Sequence, residues 1–120
     1  MESSDQRSAA GIAVFFSLFA VSSMGFSVYQ QGTNPALPGF YTIQTALASD
    51  YRLVQGAESA SALDAAITKS ATDIATLNTY VNSAEFIDTV TAAGKSKMLP
   101  QIQQRVATCL TAINAVTASL

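Results

Sequence analysis

Gly94-Lys95-Ser96 ends as a phosphate-binding loop ends, with a glycine, a lysine for phosphate oxygens and a hydroxyl for a metal ion. Such a loop also needs a glycine five positions before Gly94, where Thr89 stands. It further needs a strand ahead of it and a helix behind it, so that backbone N–H groups face the phosphates. A helix end accounts for Gly94 better. Glu85 and Asp88 lie one helical turn apart, a spacing that paired carboxylates use in acid–base or metal sites. Their place at a helix start explains them without chemistry, because negative charge there complements the helix dipole. Asp64 and Asp73 read as solvated or partner-facing charges, and Lys69 with Asp73 as an i,i+4 pair.

Cys109 is the single cysteine, so no intrachain disulfide forms. It reads as a small buried hydrophobe on a helix, with an intermolecular disulfide or a reactive thiol as the alternative. Histidine and tryptophan are absent, which removes the usual general base near neutral pH and the commonest metal ligand. No catalytic residue, metal ligand or cofactor is expected, and an enzyme is the least favoured class. A bound lipid or pigment remains compatible with the sequence, a pigment's metal then taking a backbone carbonyl, Gln, Asn or water. With net charge −2, a pI near 4.7 and charges scattered singly, no basic patch exists to neutralise phosphates, so no nucleic-acid partner is expected.

Residues 9 to 29, AAGIAVFFSLFAVSSMGFSVY, carry no charge. As a helix they span roughly 31 Å at about 1.5 Å per residue, close to the hydrocarbon thickness of a bilayer. The acidic Glu2 and Asp5 ahead of it argue against a cleaved signal, although Ser23-Met24-Gly25 offers a small-x-small site. Retention is expected. Gly11 followed by IAVFF resembles the cleavage edge of type IV prepilins, but Phe16 stands where that family usually carries glutamate, and the basic leader is missing. On a helical wheel Ala9, Ala10, Ala13, Ser17, Ala20 and Ser27 form a small face suited to close helix packing. Ile12, Phe15, Phe19 and Phe26 gather opposite, facing lipid or a groove. Arg7 before the segment, with Arg52 the next basic residue after it, favours a cytoplasmic N-terminus.

The chain therefore divides into a polar N-terminus (1–8), an apolar transmembrane or assembly helix (9–30), a Pro/Gly linker (31–40) and a helical bundle domain (41–120). After the turn signals Gly32, Asn34-Pro35 and Pro38-Gly39, Phe40, Ile43, Leu47, Tyr51 and Val54 make one helical stripe. Leu63, Ile67, Ser70, Ile74, Leu77 and Val81 make a second. Their phases differ, so a break is expected between 54 and 63, with Ser61-x-x-Asp64 as the starting cap; one continuous helix is the alternative. Asn82 or Ser83 caps a short helix ending near Gly94. Leu99, Ile102, Val106, Cys109 or Leu110, Ile113, Val116 and Leu120 form the last stripe, with Pro100 in its first turn.

The expected fold is all-α: an N-terminal transmembrane-type helix followed by a small three- or four-helix amphipathic bundle. The expected function is that of a non-catalytic structural or accessory subunit of a larger membrane protein assembly, a single-pass protein whose partners are other membrane subunits or copies of itself, and membrane lipid. Alanine, serine and threonine supply 47 of the 120 residues and only 12% are charged, so a self-assembling virion or surface-filament subunit is the alternative. A secreted helical binding domain after signal cleavage is the second.

Overall fold

The helix boundaries fall where side chains or permissive backbone can take over the groups that a helix end leaves unpaired. In the computed structural model, which describes residues 3–20 and 38–120, five α-helices follow one another and no strand occurs among the described residues. They are α1 (Ser3–Leu18), α2 (Pro38–Gly56), α3 (Ala60–Val81), α4 (Ala84–Ala92) and α5 (Leu99–Ala118), with a 3-10 turn at Ser96–Met98 before the last. Pro38 opens α2, since a fixed φ and a missing N–H cost nothing in a first turn. The stretch 31–40, expected to be linker throughout, is thus helical from Pro38, and Phe40 is already core.

The break between α2 and α3 comes at residues 57–59, which excludes a continuous helix over 41–81. The cap of α3 is Ser59, whose hydroxyl accepts from the Ala62 N–H at 3.1 Å, two residues before the expected Ser61. Ser83 caps α4 by accepting from Phe86 N–H at 3.4 Å. Beyond α4, Gly94 takes φ 74°, the left-handed conformation that ends helices and that a Cβ disfavours. It is a helix-ending glycine with no strand before it.

The four long helices alternate in direction around one core. α3 packs on α2 and α5, and α1 fills the remaining side, touching α2, α5 and, across the centre, α3. Leu47, Leu63, Ile67, Ile74, Leu77, Ile102 and Ile113 are fully buried between them. Beside the short α4, Tyr80 lies between the rings of Phe40 and Phe86, at centroid distances of 6.0 and 5.6 Å. The chain comes close there: a Cβ on Gly39 would lie 2.9 Å from Glu85 Oε2, the movable end of an exposed side chain, and 3.0 Å from Tyr80 Cε1.

The N-terminal helix, expected to stand apart from the bundle, is its fourth member. It begins at Ser3, six residues earlier than expected. Phe26, Ser27 and the rest of 21–37 lie outside the described residues. No helix among the described residues is long and apolar enough to cross a membrane. Small side chains let α1 seat closely: Ala10, Ala13, Ser17 and Ala20 are buried with Val14 and Leu18, and the Ser17 hydroxyl donates to Val14 O at 2.8 Å.

Arg7 locks the start of α1 to the end of α2. Its guanidinium donates to Val54 O (3.1 Å), Gln55 O (2.9 Å) and Ala57 O (2.8 Å), all carbonyls at the frayed helix end, and its charge opposes the negative pole of that helix. Gln103 does the same for α3, donating to Val81 O at 3.1 Å. Arg7→Gln is expected to cost about 1–2 kcal/mol and to lower Tm by roughly 5–10 °C in a calorimetric scan. Arg7→Lys recovers only part of this, because an ammonium lacks the fork that reaches three carbonyls. A Tm unchanged by Arg7→Gln would remove the lock from the account.

Candidate functional site

A helix packed on a core ordinarily hides its large apolar residues and shows its polar ones. α1 does so only in part, burying Val14 and Leu18 but leaving four other large apolar side chains outside. Its small residues face inward, while Ile12, Phe15, Phe16 and Phe19 are 58, 45, 55 and 37% exposed. Spaced 3, 1 and 3 apart, these four form one ridge along the outside of the helix. Phe15 anchors it: its ring lies 4.9 Å from Phe19, 5.9 Å from Phe16 and 5.9 Å from Tyr51 of α2. Together with Tyr51 the four make one contiguous, partly exposed apolar patch.

A groove flanks the ridge on each side. Between α1 and α2 lies one of about 470 Å³, with Gly11, Tyr51 and Gln55 in its walls. Between α1 and α5 lies a larger one of about 720 Å³. Its α1 wall is Ala9, Ile12, Ala13 and Phe16, and its α5 wall carries Gln101, Gln104, Arg105 and Thr108 above Cys109 and Ala112. Cys109 is nearly buried, and burial pushes its thiol pKa up against the opposing effect of Arg105. It occupies the last stripe, whereas Leu110, the alternative at that point, is half-buried beside the core.

The other site residues read from sequence sort simply. Ala9 is half-buried, and Leu63, Ile67, Ile74, Leu77, Val81, Ile102, Val106 and Ile113 are fully buried. Leu99 is half-buried and Leu120 is exposed at 45%. Glu85 sits in the first turn of α4 beside Tyr80, whose phenol pKa is raised by burial and by that carboxylate.

A second polar feature joins α2 to α3. Lys69 Nζ donates to Asp50 Oδ1 at 2.6 Å and to Asp73 Oδ2 at 2.9 Å. The Asp50 side chain is fully buried, and its Oδ2 has no hydrogen-bond partner. Burial and the neighbouring Asp73 carboxylate push the Asp50 pKa up to about 7, against the pull of Lys69. Burial also acts upward on Asp73, but its contacts with Asp50 and Lys69 outweigh it and hold Asp73 below the usual range. Contacts with Asp50 and then Asp73 raise Lys69. The arrangement stores a proton near neutral pH. Lys69 also lines a groove of about 550 Å³ with Arg52, Leu53 and Glu58, while the Asp50 carboxylate lies buried behind it. No group of three or more metal-ligating side chains occurs among the described residues.

Fold and surface together define a four-helix bundle with an apolar ridge and grooves on its N-terminal helix. No family model, no curated protein and no solved structure matches the chain.

Proposed function

We infer that this protein is a non-catalytic accessory or structural subunit of a larger membrane-associated assembly, seated through its N-terminal helix. The observation that carries the reading is the apolar outer face of α1, with Ile12, Phe15, Phe16 and Phe19 left outside while Val14, Leu18 and the small residues fill the chain's own core. Covering four half-exposed side chains is worth about 1 kcal/mol each before association costs. Because the inner face of α1 is already occupied, the seat uses the outer face, against lipid or a neighbouring membrane helix, and the bundle stays outside the hydrocarbon.

The test is flotation of the full-length protein with native membranes, followed by native mass spectrometry of the detergent-extracted particle. One copy among unlike chains is expected. The triple variant Phe15→Ser, Phe16→Ser, Phe19→Ser is expected to lose about a hundredfold in membrane partition or more while keeping its helix content. Undiminished partition of that variant overturns the reading. Many identical copies related by a screw axis would replace it with the filament alternative.

A further inference from the structure

The groove between α1 and α5 has two unlike walls. Ile12, Ala13 and Phe16 make one side apolar, and Gln104, Arg105 and Thr108 give the other a polar edge. Arg105 is the one charged side chain among those lining it, and no carboxylate of the described residues forms a salt bridge with it. From Pro100 to Ala112 the α5 wall runs about 18 Å at helical rise. At about 720 Å³ the groove lies in the size range of small-molecule sites.

We propose that this groove binds a single-chain fatty acid, its carboxylate on Arg105 and its acyl chain along Ile12, Ala13 and Phe16. The chemistry selects that ligand in three ways. A lone guanidinium matches a planar monoanion through two parallel N–H···O bonds. The apolar wall is a single strip of Ile12, Ala13 and Phe16 along one helix, which suits one acyl chain. The polar edge leaves the carboxylate end in contact with water, so the charge is not stranded. The site goes beyond the assembly role and does not depend on it.

The experiment is isothermal titration calorimetry of the full-length protein with dodecanoate below its micelle-forming concentration. Saturable one-to-one binding is expected. Arg105→Gln is expected to weaken it about tenfold or more. Ala112→Phe, which fills the groove from an exposed position, is expected to abolish it. Arg52→Gln, outside the groove, leaves it unchanged. Dodecyltrimethylammonium, with the same chain and the opposite charge, is expected not to bind. Non-saturable uptake, equal binding of the cationic amphiphile, or an Arg105→Gln affinity equal to that of the unaltered protein would each overturn the proposal. Such a failure leaves membrane flotation of the ridge variant untouched, so the two readings fail separately.

Discussion

Deleting residues 1–20 is expected to abolish the cooperative thermal transition of the remaining chain. α1 contacts all three other long helices, and it buries Ala10, Ala13, Val14, Ser17 and Leu18 against them. Its removal uncovers the facing sides of α2, α3 and α5 along their length. It also removes the guanidinium that satisfies Val54 O, Gln55 O and Ala57 O. Domain stabilities are only about 5–15 kcal/mol, and single large-to-small core changes already cost about 2–5. Losing one helix in four exceeds what the bundle holds in reserve. The point variant Val14→Asp asks the same question at full length: a carboxylate placed at a fully buried position has no partner there. Far-UV circular dichroism with thermal scans reads both. A 21–120 fragment that melts cooperatively within a few degrees of the full chain would show that α1 is an appendage, and would reopen cleavage at the Ser23-Met24-Gly25 site.

Much of this bundle is written in the spacing of its apolar residues, because a helix buries one stripe and repeats it every three or four positions. Leu63, Ile67, Ile74, Leu77 and Val81 illustrate it. The caps are nearly as legible, and the Ser61 error was two residues along a serine-rich stretch where Ser59 serves equally well by type. The N-terminal segment admits two readings for a physical reason. Twenty-one uncharged residues satisfy the length of a bilayer, yet a small-residue face that suits a neighbour in lipid suits equally a helix of the same chain. Nothing local to residues 9–20 tells the two apart. Arg7 reads locally as a flanking charge, and its three carbonyl partners lie 47 to 50 residues away.

The ridge is partly legible in the grouping of Ile12, Phe15 and Phe19, but Phe16 reads from sequence only as a departure from a pilin motif. Asp50 did leave a signal. Ile43, Leu47, Asp50 and Val54 are spaced four, three and four, so an aspartate stands at a core position of α2. Its partner Lys69 is nineteen residues on, beyond any local pattern, and sequence showed only that lysine's link to Asp73.

Asp50 makes the stability of the bundle fall as pH rises through the neutral range. Its carboxyl, ordinarily near 3.8, is pushed up to about 7 in the fold, first by burial and then by Asp73. Below 3.8 both folded and unfolded chains hold the proton. Between 3.8 and about 7 only the folded chain does, so Asp50's contribution is fully present at the acid end and is lost as pH climbs. The other members of the cluster act elsewhere. Asp73, held below the ordinary 3.8, withdraws its contribution only as pH falls below the usual carboxylate range. Lys69, raised above 10.5, holds its contribution until strongly alkaline pH. With no histidine in the chain, the slope between pH 5 and 7 isolates Asp50 among side chains. One proton sets a ceiling of about 1.4 kcal/mol per pH unit.

Urea denaturation at pH 5, 6, 7 and 8 is expected to show stability declining to near pH 7 and then levelling. Asp50→Asn is expected to remove the decline, because the amide carries no proton to lose and can donate to Asp73 while Lys69 keeps its 2.9 Å bond there. Its stability should match the unaltered protein near pH 5 and exceed it by roughly 1–3 kcal/mol at pH 8. An Asp50→Asn variant with the same slope would place the titrating group elsewhere. One with a lower stability at every pH would mean that the ionised Asp50–Lys69 pair outweighs the cost of burying the charge.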